Sequence, residues 1–198
     1  MNKKNNWNEI WKKNKFKHIS LPTLCTEAFE KYHISTIKKK RIKILDAGCG
    51  NGRNLFYLKN LGYDVFGVDS SKFIINKLKK KFPKLKSKFT ISKISNLSYP
   101  KNYFDVILCD AALYYCDIDE FKKNITELRR VLKKNGVMRV YTISSKNFNS
   151  KQIKTHSIKI RNSWEKNLIV TLLSKKDIRK FFTGFKNIQI GIDEFNFI

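Results

Sequence analysis

The chain has few glycines, prolines and cysteines, and no apolar run long enough to cross a bilayer. Of its 198 residues, eight are glycine, three are proline and four are cysteine. Lysine or asparagine interrupts every apolar stretch before the roughly 18 to 20 residues that a transmembrane helix needs, so we expect no membrane span. The cysteines have no CxxC or Cys/His spacing typical of a metal site, and nothing resembles a secretory signal. We therefore expect reduced thiols in a cytoplasmic protein without a metal.

Acidic residues are also scarce, because 16 of them face 42 basic residues and the formal net charge is +26. Such a charge favours binding to nucleic acid, whose phosphates release counterions to clustered cations. However, only seven of the basic residues are arginine, the residue suited to bidentate recognition of phosphates and bases. The densest group, around Lys79–Lys81, is typical of the solvated end of a helix. We therefore interpret the charge as compositional and keep nucleic-acid binding as an alternative.

The hydrophobic pattern indicates one domain over residues 1–198, with three parts. Residues 1–40 contain two helical patterns, the first over 7–17 and the second over 23–33. Residues 41–145 alternate strand and helix, and residues 146–198 begin with a long polar stretch that has no clear pattern. Such an insertion in a compact domain is more often functional than idle.

Nearly continuous apolar strands alternate with helices through the central part of the chain. The predicted strands are 42–47, 64–69, 89–91, 104–110 and 136–143, and the predicted helices are 52–61, 72–82 and 118–132. Later strands are predicted at 157–160, 168–173 and 187–192, with a helix over 174–182 that Ser174 caps. This alternation predicts an α/β fold with a Rossmann-like, doubly wound, mostly parallel sheet and helices on both faces.

Three of the eight glycines stand within five residues, in the segment DAGCGNG that ends the first predicted strand. Gly48, Gly50 and Gly52 follow Asp46 at alternate positions. Parallel sheets bind ligands at the carboxyl ends of their strands, and glycine allows positive φ and close approach of a ligand. The following helix directs its free N–H groups at this turn. The dinucleotide fingerprint GxGxxG is not matched, because Arg53 stands where its last glycine belongs.

The order DxGxGxG instead resembles the first motif of class I S-adenosylmethionine-dependent methyltransferases of the small methyltransferase-domain group. Asp69 closes the second strand 17 residues after Gly52, where the family has an acidic residue for the ribose hydroxyls. The segment NLSYPKNYFDVILCDAALYYC is similar to the family's LPFxDxxFDxV stretch, and ITELRRVLKKNGVMRVYTIS resembles its RVLKPGG helix and fifth strand. The resemblance covers about residues 41–145.

The resemblance implies S-adenosylmethionine as cofactor, bound by the central part of the chain. The cofactor-binding residues that it implies are Asp46, Gly48, Cys49, Gly50, Gly52, Asn54, Asp69, Ser70, Ile94, Asp110 and Ala111. Residues 1–40 are expected to form a helical lid, and residues 146–198 a substrate-side insertion with the C-terminal elements. The expected lid and substrate residues are Trp7, Trp11, Tyr114 and Tyr115.

Methyl transfer from a sulfonium is an in-line displacement that depends mainly on alignment and exclusion of water. The sequence therefore need not carry an acid–base group, and we identify no catalytic residue. Tyr114 and Tyr115 are candidates for positioning, through a ring face toward the sulfonium or a hydroxyl toward the acceptor.

Two departures from the family pattern are visible. The position of the acidic residue that commonly binds the adenine amino group is held by Lys93, which cannot accept a hydrogen bond. Either adenine relies on backbone groups near Ile94 and on apolar contact, or the register of this match slips. The family fold also ends in a hairpin whose last strand joins the sheet beside the fifth strand. Only the segment DEFNFI follows residue 192, so that strand is expected to be very short or missing, which would expose a sheet edge.

Three functions remain open at this point. A small-molecule acceptor is favoured, because the segment DAAL lacks the [DNS]PP[YFW] tetrapeptide of enzymes that methylate adenine or glutamine, and no RNA-binding domain is added. The alternatives are an RNA or protein methyltransferase that uses the basic surface, and a non-catalytic adenosyl- or nucleotide-binding module. The acceptor atom and the oligomeric state are not predicted.

Overall fold

A five-stranded, wholly parallel sheet forms the centre of the molecule, in the strand order β3-β2-β1-β4-β5. The computed structural model describes residues 6–13, 24–38, 41–147, 156–160 and 168–191. The strands are β1 (Lys43–Ala47), β2 (Asp64–Asp69), β3 (Phe89–Ile91), β4 (Phe104–Cys109) and β5 (Leu132–Val140). All residues of β4 are buried, as expected of a strand covered on both faces. The predicted Rossmann-like fold class is confirmed.

Helices cover both faces of this sheet. The first face carries α3 (Arg53–Asn60) and α4 (Lys72–Lys81), which pack through leucine and isoleucine against Val106 and Leu108. The opposite face carries α5 (Ile118–Val131), which packs against Phe104, Ile107 and Cys109. From Val106 to Cys109 the side chains of β4 alternate between the two faces, as successive residues of a strand do, and an irregularity in the pairing separates Phe104 from this pattern.

Two helical segments precede the sheet in the chain. They are α1 (Trp7–Lys13) and α2 (Leu24–Phe29), and a π-helical turn over Glu30–Ile34 continues α2. Both agree with the predicted helical patterns, and residues 14–23 lie outside the described part. The side chain of Asn8 fixes α1 to the start of α4, because its Oδ1 accepts the Phe73 N–H at 3.0 Å and the Ser71 hydroxyl at 3.1 Å.

A second, smaller sheet follows the main one in the order β6-β8-β7. Its strands are β6 (Ile143–Ser144), β7 (Ser157–Lys159) and β8 (Ile169–Leu173), with β6 parallel and β7 antiparallel to β8. After β8, α6 (Lys175–Phe181) begins with a capping box between Ser174 and Asp177, which confirms the predicted cap. The central strand β8 is buried against Tyr114 and Tyr115, so this sheet adjoins the loop after β4.

Two strand predictions are wrong. The fifth strand begins at Leu132 rather than at residue 136, because Leu132 pairs with Phe104 and a register shift absorbs the residues after it. It ends at Val140, and Ile143 belongs to the second sheet. The described residues 187–191 are not a strand and belong to neither of the two sheets. The expected last strand over 193–198 lies outside that part.

No helix in the described ranges is long and apolar enough to cross a membrane.

Candidate cofactor and substrate site

A pocket opens at the carboxyl ends of β1, β2, β3 and β4. Its walls are α1, the glycine turn, the loops after β2, β3 and β4, and the first turns of α5. The residues that line it are Trp7, Trp11, Gly48, Gly50, Asp69, Ser70, Ser92, Lys93, Ile94, Ala111, Ala112, Tyr115, Cys116, Asp117, Glu120, Asn124 and Ile169. Parallel sheets of this kind bind ligands at this edge.

The glycine turn has no room for side chains at its first two glycines. Gly48 and Gly50 have φ of +79° and +49°, values that side-chain-bearing residues rarely adopt. A Cβ at Gly48 would lie 2.2 Å from the Cβ of Ala112, and one at Gly50 would lie 2.9 Å from Cζ2 of Trp11. Ala112 and Trp11 therefore pack directly against the backbone of the turn, which only glycine allows at these two positions.

Asp69 holds this turn in place from the end of β2. Its Oδ2 accepts the Gly50 N–H at 3.0 Å and its Oδ1 accepts the Ser71 N–H at 2.8 Å. Burial raises the pKa of Asp69, and these two backbone donors oppose the rise. The cap of α4 is Ser71, whose hydroxyl accepts the Ile74 N–H. Since a carboxylate offers about four acceptor positions, Asp69 can still accept bonds from a ligand in the pocket.

Asp46 lies beneath the turn with an unsatisfied oxygen. Its side chain is buried, the backbone N–H of Leu55 donates to its carboxylate, and its Oδ2 has no hydrogen-bond partner. Burial, reinforced by the charges of Asp110 and Asp69, raises the pKa of Asp46 to about 8. An acid in this state is suited to a cationic partner, because a cation would stabilise its charged form.

Asp110 is the centre of a polar network that lies behind the pocket. Its carboxylate accepts two bonds from Nη1 of Arg139, at 2.7 and 2.8 Å. Its Oδ2 also accepts the Thr26 hydroxyl at 2.9 Å and the Asn54 amide at 3.3 Å. This network joins β4, β5, α2 and α3, and the side chains of Asp110 and Asn54 are engaged within the fold.

Tryptophans of α1 cover the pocket. The Trp11 ring lies against Gly50, and the Trp7 ring meets Tyr115 edge-on, with ring centroids 4.8 Å apart. Tyr115 lines the pocket, whereas Tyr114 packs behind it with β8. Ala111, the second residue after β4, has a φ of +51°, a strained conformation for alanine that exposes the backbone of this loop.

The expected site residues fall into two groups. Those that line the pocket are Trp7, Trp11, Gly48, Gly50, Asp69, Ser70, Ile94, Ala111 and Tyr115. Those that support it from behind are Asp46, Cys49, Gly52, Asn54, Asp110 and Tyr114. Gly52, with a φ of +82°, is the N-cap of α3, and a Cβ there would meet the Phe56 ring at 2.6 Å.

Sequence reasoning missed the wall that α5 contributes. This wall consists of Glu120 and Asn124 in α5, its N-cap Asp117, and Cys116 just before the cap. Asp117 caps α5 by accepting the Glu120 N–H at 2.9 Å, and an aspartate followed by a glutamate three residues later is a recognisable helix start. Burial raises the pKa of the Cys116 thiol to about 12, so this cysteine is a poor nucleophile.

A family model described as a methyltransferase domain matches residues 45–140. This match supports a class I S-adenosylmethionine-dependent methyltransferase domain in the central part of the chain. It also supports S-adenosylmethionine as the cofactor. The match contains the glycine turn, Asp69 and Glu120, but neither α1 nor the second sheet.

Individual relatives match only part of this chain. The ubiquinone biosynthesis O-methyltransferase of Pelagibacter ubique is 39% identical over 108 residues, which are 53% of this chain and 43% of that protein. The structure of a methyltransferase from Methanosarcina mazei superposes with a TM-score of 0.63 at 23% identity. The superposition covers 76% of this chain and 81% of the other chain. The Burkholderia thailandensis 1,6-didemethyltoxoflavin-N1-methyltransferase, with bound 1,6-didemethyltoxoflavin and S-adenosylhomocysteine, has a TM-score of 0.59 at 17% identity, covering 80% and 64%. The two structures bear on the fold alone.

Proposed function

We propose that this protein transfers the methyl group of S-adenosylmethionine to a small-molecule acceptor that binds beside Tyr115. The observation that carries this proposal is the cover formed by α1. Trp11 lies on the glycine turn and Trp7 meets Tyr115 edge-on, so aromatic rings of α1 cover this part of the pocket. A pocket covered in this way favours a small acceptor over a segment of RNA or protein.

The residues at the glycine turn fit the cofactor. Gly48 and Gly50 line the pocket without side chains, so the amino-acid part of the cofactor could approach their backbone, and the unsatisfied Oδ2 of Asp46 beneath the turn would favour its ammonium group. Asp69, at the next strand end, would accept the ribose hydroxyls, and the base would lie toward Ile94 after β3. When bound, the cofactor supplies an electrophilic methyl group on a sulfonium.

The other end of the pocket would hold the acceptor. Tyr115, Trp7 and Ile169 give it a largely apolar wall, and Asp117 adds a carboxylate. The rings would exclude water from the methyl group and present π-faces to the sulfonium, an attraction of about 0.5 to 2 kcal/mol. Alignment by such a wall is the main requirement of an in-line displacement, in which the bond from acceptor to methyl would form as the methyl–sulfur bond breaks, S-adenosylhomocysteine would be left, and the acceptor's proton would pass to solvent.

The network around Asp110 would support this site from below. Arg139 neutralises a carboxylate that would otherwise lie near Asp46 without a counter-charge. The ion pair therefore limits the repulsion between Asp110 and Asp46 and preserves a position for the cofactor's ammonium.

Calorimetry and labelled methyl transfer test the proposal together. Titration with S-adenosylmethionine, S-adenosylhomocysteine and NAD should give binding of the first two and none of the third. With labelled methyl donor and fractionated cell extract, the label should enter the small-molecule fraction. Label in RNA or protein would refute the small acceptor, binding without any transfer would indicate a non-catalytic module, and tight NAD binding alone would refute the cofactor site.

A further inference from the structure

We propose that Glu120 recognises the adenine amino group of the cofactor, in place of the acidic residue that the chain lacks at position 93. This inference rests on the proposed function, because it assigns a residue to the base end of the same pocket. The exocyclic amino group of adenine is a donor and needs an acceptor, which the ammonium of Lys93 cannot provide. The acceptor must therefore be another group of the pocket, and Glu120 supplies a carboxylate there.

The base end of the pocket lies between the loop after β3 and the first turn of α5. The glycine turn, Asp69 and the Ser92–Ile94 loop end three adjacent strands, β1, β2 and β3, so an extended ligand that begins at the glycines reaches this loop with its far end. Glu120 lines the pocket opposite that loop. Asn124, one turn later on the same face of α5, lines it too, which confirms that this face of the helix points inward.

Glu120 is held in this position by its neighbours. Its Oε1 accepts the hydroxyl of Ser95 at 3.0 Å, which ties the side chain to the loop that follows β3. The same loop is bound to α5 at Leu97, whose N–H donates to Glu127 at 2.7 Å and whose carbonyl accepts from Arg130 at 3.0 Å. Because a carboxylate has about four acceptor positions, Glu120 can hold Ser95 and accept a bond from a ligand at the same time.

A purely structural role for Glu120 makes a different prediction from recognition of adenine. If Glu120 served only to tie the loop to α5, its loss would weaken binding of every nucleoside ligand equally. If it accepts a bond from the amino group, its loss would weaken adenosyl ligands but spare an analogue with a carbonyl oxygen in that place. The ratio of the two affinities separates the roles.

The experiment compares S-adenosylhomocysteine with S-inosylhomocysteine, which carries the carbonyl oxygen, by calorimetry. The wild-type protein should prefer the adenosyl ligand, and Glu120→Gln should lower that preference at least about tenfold, the scale of a lost charge-assisted bond. Glutamine retains the size of the side chain and an oxygen for Ser95, so the fold should persist. Asp119→Asn removes the same charge from the adjacent, exposed residue and should leave the preference unchanged.

Three results would overturn the inference, and they are distinguishable. If the wild-type protein binds S-adenosylhomocysteine and Glu120→Gln retains the full preference, Glu120 does not recognise adenine, while the proposed function stands. If Ser95→Ala lowers the preference as much as Glu120→Gln does, loop position rather than the carboxylate sets it. If the wild-type protein binds neither ligand, the cofactor site itself fails and Glu120 with it.

Discussion

Replacement of Asp46 by asparagine should make the protein more stable and a poorer cofactor binder. The unfolded chain releases the Asp46 proton near the usual pKa of 3.8, whereas the folded chain retains it to about pH 8. The stability contribution of this raised pKa is fully present below pH 3.8 and is lost as the pH rises through 8. Each pH unit in that window costs about 1.4 kcal/mol, so the free energy of unfolding at pH 7 is lowered by about 4 kcal/mol.

Asparagine removes this cost because it does not titrate, and its side-chain oxygen can still accept the Leu55 N–H. Urea unfolding can be measured at several pH values between about 4.5 and 7.5. The free energy of unfolding of the Asp46→Asn protein, relative to that of the wild type, should rise by about 1.4 kcal/mol per pH unit, and by about 4 kcal/mol over this range. Asp119→Asn, which changes an exposed carboxylate, should show no such slope. A stability difference that does not vary with pH would refute the assignment of a raised pKa to Asp46.

Cofactor binding should also report the protonation state of Asp46. If the ammonium of S-adenosylmethionine binds at Asp46, binding at pH 7 must release most of a proton from that acid, because the bound cation favours its charged form. Calorimetry in two buffers with different ionisation enthalpies measures this release. The Asp46→Asn protein should release none and bind at least about tenfold more weakly. Unchanged affinity in that variant would show that the ammonium binds elsewhere.

Three other substitutions test the walls of the site. Gly50→Ala should abolish cofactor binding measured by calorimetry, because its methyl group would meet Trp11, whereas Gly62→Ala, with positive φ but nothing within 4 Å, should cost only stability. Asn8→Ala should raise the KM for the acceptor several-fold by detaching α1, and an unchanged KM would refute its role as a lid. Arg139→Met should lower the free energy of unfolding by about 3 to 5 kcal/mol, because it leaves Asp110 buried without its cation. Adding Asp110→Asn should recover most of that loss in urea unfolding.

The parts of the fold that the sequence predicted are those determined locally. The residues of β2 form a short apolar run with clear ends, and they are the residues predicted. The start of β5 was missed because the segment Lys133–Gly136 resembles a turn. In the structure this segment stays within the strand, because the pairing with β4 shifts its register there. That shift depends on the partner strand rather than on local preference, so the pattern of β5 alone cannot indicate it.

The site residues also divide into those that a local motif predicts and those that only the packing of the fold brings into place. The glycine turn and Asp69 could be predicted because each lies within one short motif at a strand end. Glu120 could not, because it enters the pocket through the orientation of α5, which is set by the packing of Phe121 and Leu128 against the sheet. Arg139 was hidden inside an apparently apolar strand, and its partner Asp110 is 29 residues away in the sequence. Spacing along the chain carries no signal for either contact.

The net charge describes the surface of this protein and not its pocket. Although basic residues outnumber acidic ones by 42 to 16, five carboxylates lie in or beneath the pocket: Asp46, Asp69, Asp110, Asp117 and Glu120. Exposed lysines farther away than the Debye length, about 10 Å at 0.1 M salt, are largely screened, whereas charges within a buried site are not. Because Asp46 retains its proton to about pH 8 and Arg139 neutralises Asp110, the carboxylates that would attract a cationic sulfonium in the pocket are Asp69, Asp117 and Glu120.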